Sequence, residues 1–380
     1  MEFFNQIQYK DVEFEKYISI FKNGLNASLF QRSFAIHRFP RGFEETFYDI
    51  NNGISKFQPS LLKYLSHHFS FVLRGYDFMA SIFAIDNNSC SSSSSPSQIV
   101  HKSIAITLQT KKLNTQGEQV IREIASVIIV SLDDNHCTSP TDPIEYHFLL
   151  SRGSPTLISI LQQWIQIEFS LALIPLGLNT KSLYQLLLKC LERDIQYKLQ
   201  YFRKQDDNST IDLEYSFSGM LPDNCDLESL KLQIPIITMI SIIEEYTKSQ
   251  PKQSINEVAI TETKSDIRPP PTRRQGLSLK DESLTLPKSR KPSKLQINTL
   301  PNFLQTPQFH QVFLQSLSDL LVQSFGLDIT QLVLFKINCQ HLFLSISEQQ
   351  SKIIFNNQSN PLPILKDILD VIDNNQKYCV

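Results

Sequence analysis

Residues 125–130, ASVIIV, form an almost continuous apolar run rich in β-branched side chains, and no other feature limits the fold as strongly. A strand of that composition has no solvent-facing side, so other layers must cover both of its faces. Shortly before it, Ile104, Ile106 and Leu108 alternate with small or polar residues, the period-two signature of a neighbouring strand. A chain of 380 residues that is 41% hydrophobic has enough apolar material to bury such a sheet, in one large unit or two modest ones.

After residue 150 the apolar period changes to that of helices. Ser154-Pro155 supplies a cap and first-turn signal ahead of Leu157, Ile158, Leu161, Trp164, Ile165 and Phe169. Pro175 and Gly177 break the pattern, and a second helix starting at Asn179 places Leu183, Leu186, Leu187, Cys190 and Leu191 on one side. Alternation then returns: Tyr197, Leu199 and Tyr201, a KQDDNS loop, and Ile211, Leu213, Tyr215 and Phe217 read as a hairpin. Towards the N-terminus, Phe14, Tyr17, Ile18 and Phe21 recur at helical spacing. Leu61, Leu62 and Leu65 follow Pro59 as a short helix, and residues 69–85 read as one or two strands. Near the C-terminus, Phe313, Leu317, Leu320, Leu321 and Phe325 predict a helix that Gly326 can end. Two strands follow around a turn near Asn338, and then a helix carrying Ile364, Leu365, Ile368, Leu369 and Ile372. Strands and helices come in blocks rather than in strict βαβ alternation, so the expected class is α+β: a curved, largely antiparallel sheet with helices packed on one face.

Two stretches cannot bury enough apolar surface to offset ordering entropy: a serine tract at about 87–99 and a long stretch over 249–305. The second holds seven prolines from Pro251 to Pro301. It divides a main body, 1–248, from a C-terminal piece, 306–380, which is small for a domain and is expected to pack back on the body. The long stretch is thus an insertion inside one fold.

The search for chemistry yields mostly exclusions. The closest two of the ten glycines, Gly42 and Gly53, lie eleven positions apart, which rules out GxGxxG, GxxxxGK[ST] and GxSxG loops. The histidines form no HExxH. His67-His68 reads as a strand-start or surface pair, and Asp133, Asp134, His136 and Cys137 as a polar loop. Asp206-Asp207 and Glu244-Glu245 are adjacent carboxylates that point apart, not a facing acid/base pair. Trp164 sits at core spacing. Cys90, Cys137, Cys190, Cys225, Cys339 and Cys379 contain no CxxC pair and read as reduced thiols. The apolar runs at 169–178 and 232–243 are too short to span a bilayer, and the N-terminus lacks a secretory pattern, so an intracellular protein without membrane, metal or cofactor is expected.

The electrostatic pattern is local. The chain carries −2 overall, yet residues 251–300 hold ten Lys or Arg against five acids, a balance of +5 that leaves −7 elsewhere. Arg273, Arg274, Lys288, Arg290, Lys291 and Lys294, with Lys111-Lys112, are the candidates for nuclear import or DNA contact. Ser289 and Ser293 are sites where phosphorylation would change that charge.

From residue 148 onward, FLLSRGSPTLISILQQWIQIEFSLALIPLGLNTKSLYQLLLKC, followed by STIDLEYSFS, resembles the central block of the centromere protein L family: an apolar strand, a Trp-bearing helix, a Pro-containing break, a second helix and a strand pair. FLQSLSDLLVQSFGLDITQLVLFKINCQHLFLSIS resembles that family's closing helix and strands, and SFAIHRFPRGF its early strand. The resemblance implies a non-enzymatic scaffold of the inner kinetochore in the nucleus, heterodimerising with centromere protein N, which reads the centromeric nucleosome. It also implies contacts with other inner-kinetochore subunits. The C-terminal strands, with Leu332, Val333, Leu334, Phe335, Ile337, Leu342, Phe343, Leu344 and Ile346, match the place where family members join the partner's sheet. Their low charge fits an edge that a partner strand covers. The alternatives are a cytoplasmic trafficking adaptor and an enzyme of unfamiliar type.

Overall fold

The computed structural model describes residues 25–45, 57–69, 78–86, 102–113, 119–132, 144–201, 210–217, 229–236, 238, 314–319, 321–323, 326–328, 332–347, 350–356 and 361–377. The helices are α1 (Leu25–Leu29), α2 (Gln58–Phe69), α3 (Pro155–Glu168), α4 (Thr180–Tyr201) and α5 (Leu362–Lys377), with residues 314–319 and 321–323 also helical. The strands are β1 (Ser33–Glu45), β2 (Phe78–Asp86), β3 (Lys102–Leu113), β4 (Gln119–Val130), β5 (Ile144–Gly153), β6 (Ile174–Pro175), β7 (Thr210–Ser216), β8 (Ser229–Pro235), β9 (Val333–Asn338), β10 (Leu342–Ser345) and β11 (Lys352–Phe355).

These strands form one sheet in the order β2-β3-β4-β5-β1-β11-β10-β9-β7-β8, with β6 paired to β1. Neighbouring strands are antiparallel throughout. The class is α+β with a largely antiparallel sheet, as the block pattern predicts.

The helices, however, lie on both faces of the sheet and not on one. The reason is written in β4: Val127 and Ile129 join a core with α2 and α3, while Ile128 and Val130 join the core that holds α4 and α5. A strand apolar on both sides needs cover on both sides. The α4 and α5 side carries an apolar row across most of the sheet. Phe34 lies opposite Ile353, Ile353 opposite Leu344, Leu344 opposite Ile337, Ile337 opposite Leu213 and Leu213 opposite Leu232.

Local signals explain most elements. At α3 the backbone of Ser154 is extended in the N-cap position, but its side chain makes no cap bond, so the start rests on Pro155 and its pre-set φ. Trp164 is 1% exposed and donates to Ser60 Oγ at 3.3 Å, which fits its reading as core. Asn179 caps α4 by accepting the Ser182 N–H at 2.8 Å. Gly326, at φ 66°, follows the helical residues 321–323 as expected.

Three elements differ from the sequence expectation. Residues 197–201 are not a strand but the end of α4, because no Gly or Pro interrupts residues 180–201 and the helix continues. The hairpin partner of β7 is instead β8, whose Leu230, Leu232 and Ile234 alternate with Lys231 and Gln233. Strand β11, only four residues long, gave too short a pattern to read. The expected helix around Phe14 to Phe21 and the long proline-rich stretch lie outside the described residues.

Candidate partner interface

The C-terminal strands do not form an edge. β10 lies between β11 and β9, and β9 lies between β10 and β7, so a partner strand has no free side on either. The expectation of strand addition at β9 and β10 is therefore corrected. Sequence alone could not show that β7 returns beside a strand more than a hundred residues later. Among the described strands, β2 and β8 end the sheet.

The nine candidate residues divide by burial. Leu332, Leu334, Ile337, Leu342 and Leu344 are buried in the core shared with α4 and α5. Ile346 is half-buried against the same core, and its N–H donates to Phe335 O at 2.8 Å. Val333 is 42% exposed, and Phe335 and Phe343 are half-buried. A register shift between Glu214 and Tyr215 leaves Phe335 without a direct partner on β7, which turns it out of the regular ladder.

Opposite the α4 and α5 core, the sheet from β11 to β8 presents a polar face that no described helix covers. One row runs across it: Lys352 opposite Ser345, Ser345 opposite Lys336, Lys336 opposite Glu214 and Glu214 opposite Lys231. Phe343 and Ile354, which face each other in the next row, and Val333, opposite Ser216, add apolar surface beside this row. Lys336 Nζ donates to Glu214 Oε2 at 2.8 Å and sits 5.4 Å from the centroid of the Phe343 ring. Lys231 reaches Glu214 Oε1 at 3.6 Å, and Ser229 Oγ donates to the same oxygen at 3.1 Å. Partial burial pushes the Glu214 carboxyl up, but the hydrogen bonds from Lys336 and Ser229 and the charges of Lys336 and Lys231 outweigh it, and the group is held below its ordinary range. A second polar chain crosses the strands beside it. Asn356 Nδ2 donates to Asn338 Oδ1 at 3.1 Å, and Asn338 Nδ2 to Asp212 Oδ2 at 3.0 Å. Neither chain was legible from periodicity, which marks Asp212, Glu214 and Lys336 as outward-facing but does not say that three separate strands align them.

The other candidates lie elsewhere. Lys111 and Lys112 belong to β3, opposite Ile121 and Val120 of β4. Arg273, Arg274, Lys288, Arg290, Lys291 and Lys294 fall outside the described residues, as do Asp133, His136, Cys137 and both adjacent carboxylate pairs. His67 and His68 are in the last turn of α2, where the ring of His68 stacks on Tyr64 at 4.1 Å. Among the described residues no group of three or more His, Cys, Asp or Glu is placed to hold a metal. No helix of the described residues is long and apolar enough to cross a membrane.

Comparison with curated proteins returns no match. The family model for centromere protein L matches residues 97–372, from β3 to within α5, while β1, α2 and β2 precede the matched region. Spanning most of its length, that match shows that the chain belongs to the centromere protein L family, a nuclear component of the kinetochore at the centromere.

Proposed function

We propose that this chain is a non-enzymatic scaffold of the inner kinetochore that pairs with a homologue of centromere protein N. Largely through that partner, it helps anchor the kinetochore to centromeric nucleosomes. The observation that supports this reading is the face of the sheet from β11 to β8, which no described helix covers. A rigid face with Val333, Phe343 and Ile354 among lysines combines an apolar patch with polar surroundings, the composition of a docking surface. The buried candidates, Leu332, Leu334, Ile337, Leu342 and Leu344, hold that face in place from behind. Val333, Phe335 and Phe343 make the contact. Among the described strands β8 ends the sheet on this side, and a partner strand extends it there. Other inner-kinetochore subunits then assemble on the pair. The basic residues of the proline-rich stretch, with Lys111 and Lys112, serve nuclear import or direct DNA contact.

Co-expression with a centromere protein N homologue tests this reading. Both chains are expected to elute as a single complex, and recovery of the two separately ends the pairing proposal. A Val333→Asp, Phe343→Asp double variant with unchanged circular dichroism should bind at least tenfold more weakly. Undiminished binding would move the interface off this face.

A further inference from the structure

Among the described strands β2 ends the sheet, and the feature of that edge is Gln58. Strand β2 has the properties of an adhesive edge: nine residues in unbroken register with β3, no proline, and a single charge, Asp86, at its end. Its sequence is also self-complementary. In a two-fold antiparallel pairing centred on Ile82, Ala80 meets Ala84, Met79 meets Ile85, Ser81 meets Phe83 and Phe78 meets Asp86, so no two charges of the two copies oppose each other. Such a pairing would use the N–H of Ile82 and the C=O of Ala80.

Those two groups are already taken. Gln58 Nε2 donates to Ala80 O at 2.7 Å, and Ile82 N–H donates to Gln58 Oε1 at 3.0 Å. One side-chain amide thus supplies the acceptor and the donor that a neighbouring strand would offer to these two groups. Gln58 is the first residue of α2, which the buried Leu61 and Leu65 fix to the core. Ser60, two positions on, bonds to Glu168 and accepts from Trp164 of α3. The amide is therefore held in position before any strand arrives. As an intramolecular group it competes at an effective concentration of about millimolar or more, against a second chain at far lower concentration.

We propose that Gln58 is a surrogate strand that seals the β2 edge against a second copy of this chain. The inference is independent of where a partner docks.

The test compares the full chain with its Gln58→Ala variant. Light scattering across a concentration series is expected to show the variant's mass rising where the wild type's stays constant. At concentrations low enough to keep the variant monomeric, hydrogen exchange at Ile82 should speed up at least tenfold, because the Gln58 acceptor is gone and no second strand has replaced it. Adding Ala84→Lys, which places a charge on the edge, should return the mass to the wild-type value. Equal mass for Gln58→Ala and wild type, with helix content unchanged, overturns the proposal. So does association that Ala84→Lys fails to reverse, since it would then come from general unfolding.

Discussion

At Glu214 one carboxylate gathers lysines from two different strands, Lys336 of β9 and Lys231 of β8. Because the folded carboxyl is held below its ordinary value of 4.5, it contributes stability above that value, and the contribution is lost as pH falls through the lower folded value. Glu214→Gln should therefore cost about 1 kcal/mol at pH 7 and nearly nothing once the pH is low enough to protonate the native carboxyl. Urea denaturation at pH 7 and pH 3 checks this, and an equal deficit at both would show that the ion pairs do not supply the stability. The sequence marked Glu214 only as an outward residue of an alternating strand. Its two partners are 17 and 122 positions away, and no pattern within a window of ten residues carries that information.

Elements joined across long sequence separations hold the C-terminal piece in place. Lys189 of α4 reaches Asp367 at 3.2 Å and Asp370 at 3.1 Å of α5, and Arg193 pairs with Asp367 and donates to Pro363 O at 3.0 Å. Asp367 is 14% exposed, so its bonds are only partly screened. Asp367→Ala removes an acceptor shared by two cations and should destabilise the protein by about 2 kcal/mol, whereas the more exposed Asp370 should cost less than 1 kcal/mol when replaced by Ala. Thermal unfolding of the two variants, compared at 150 mM salt, orders them. Equal losses would remove Asp367 from the role of clasp. The apolar side of α5 was plain from Ile364, Leu365, Ile368 and Ile372, all of which are buried. The polar clasp was not, because exposed charges on a helix look alike in sequence whether or not another helix lies opposite.

On the scale of the whole molecule, β9, β10 and β11 come from the end of the chain yet lie between β1 and β7. A chain ending at residue 305 would leave β7 and β8 without their link to β1, and it should lose cooperative unfolding altogether. A cut anywhere in 251–300 should leave the two pieces associated, because their contacts are the ladders and cores just described. Size exclusion of the nicked protein decides this, and separation of the fragments would count against it. The sequence alone determined what local periodicity and packing demand: the class of the fold, the paired helices α3 and α4, the buried Trp164, the α5 face, and the need of β4 for cover on both sides. It also carried the family, through the order of those elements. Only the tertiary structure decided which strands end the sheet. Pairing partners are chosen by non-local hydrogen bonds and by which apolar rows line up, and each is a choice among strands that look alike when read one at a time. That is why β9 and β10, apolar enough to look like an open edge, proved to be interior strands.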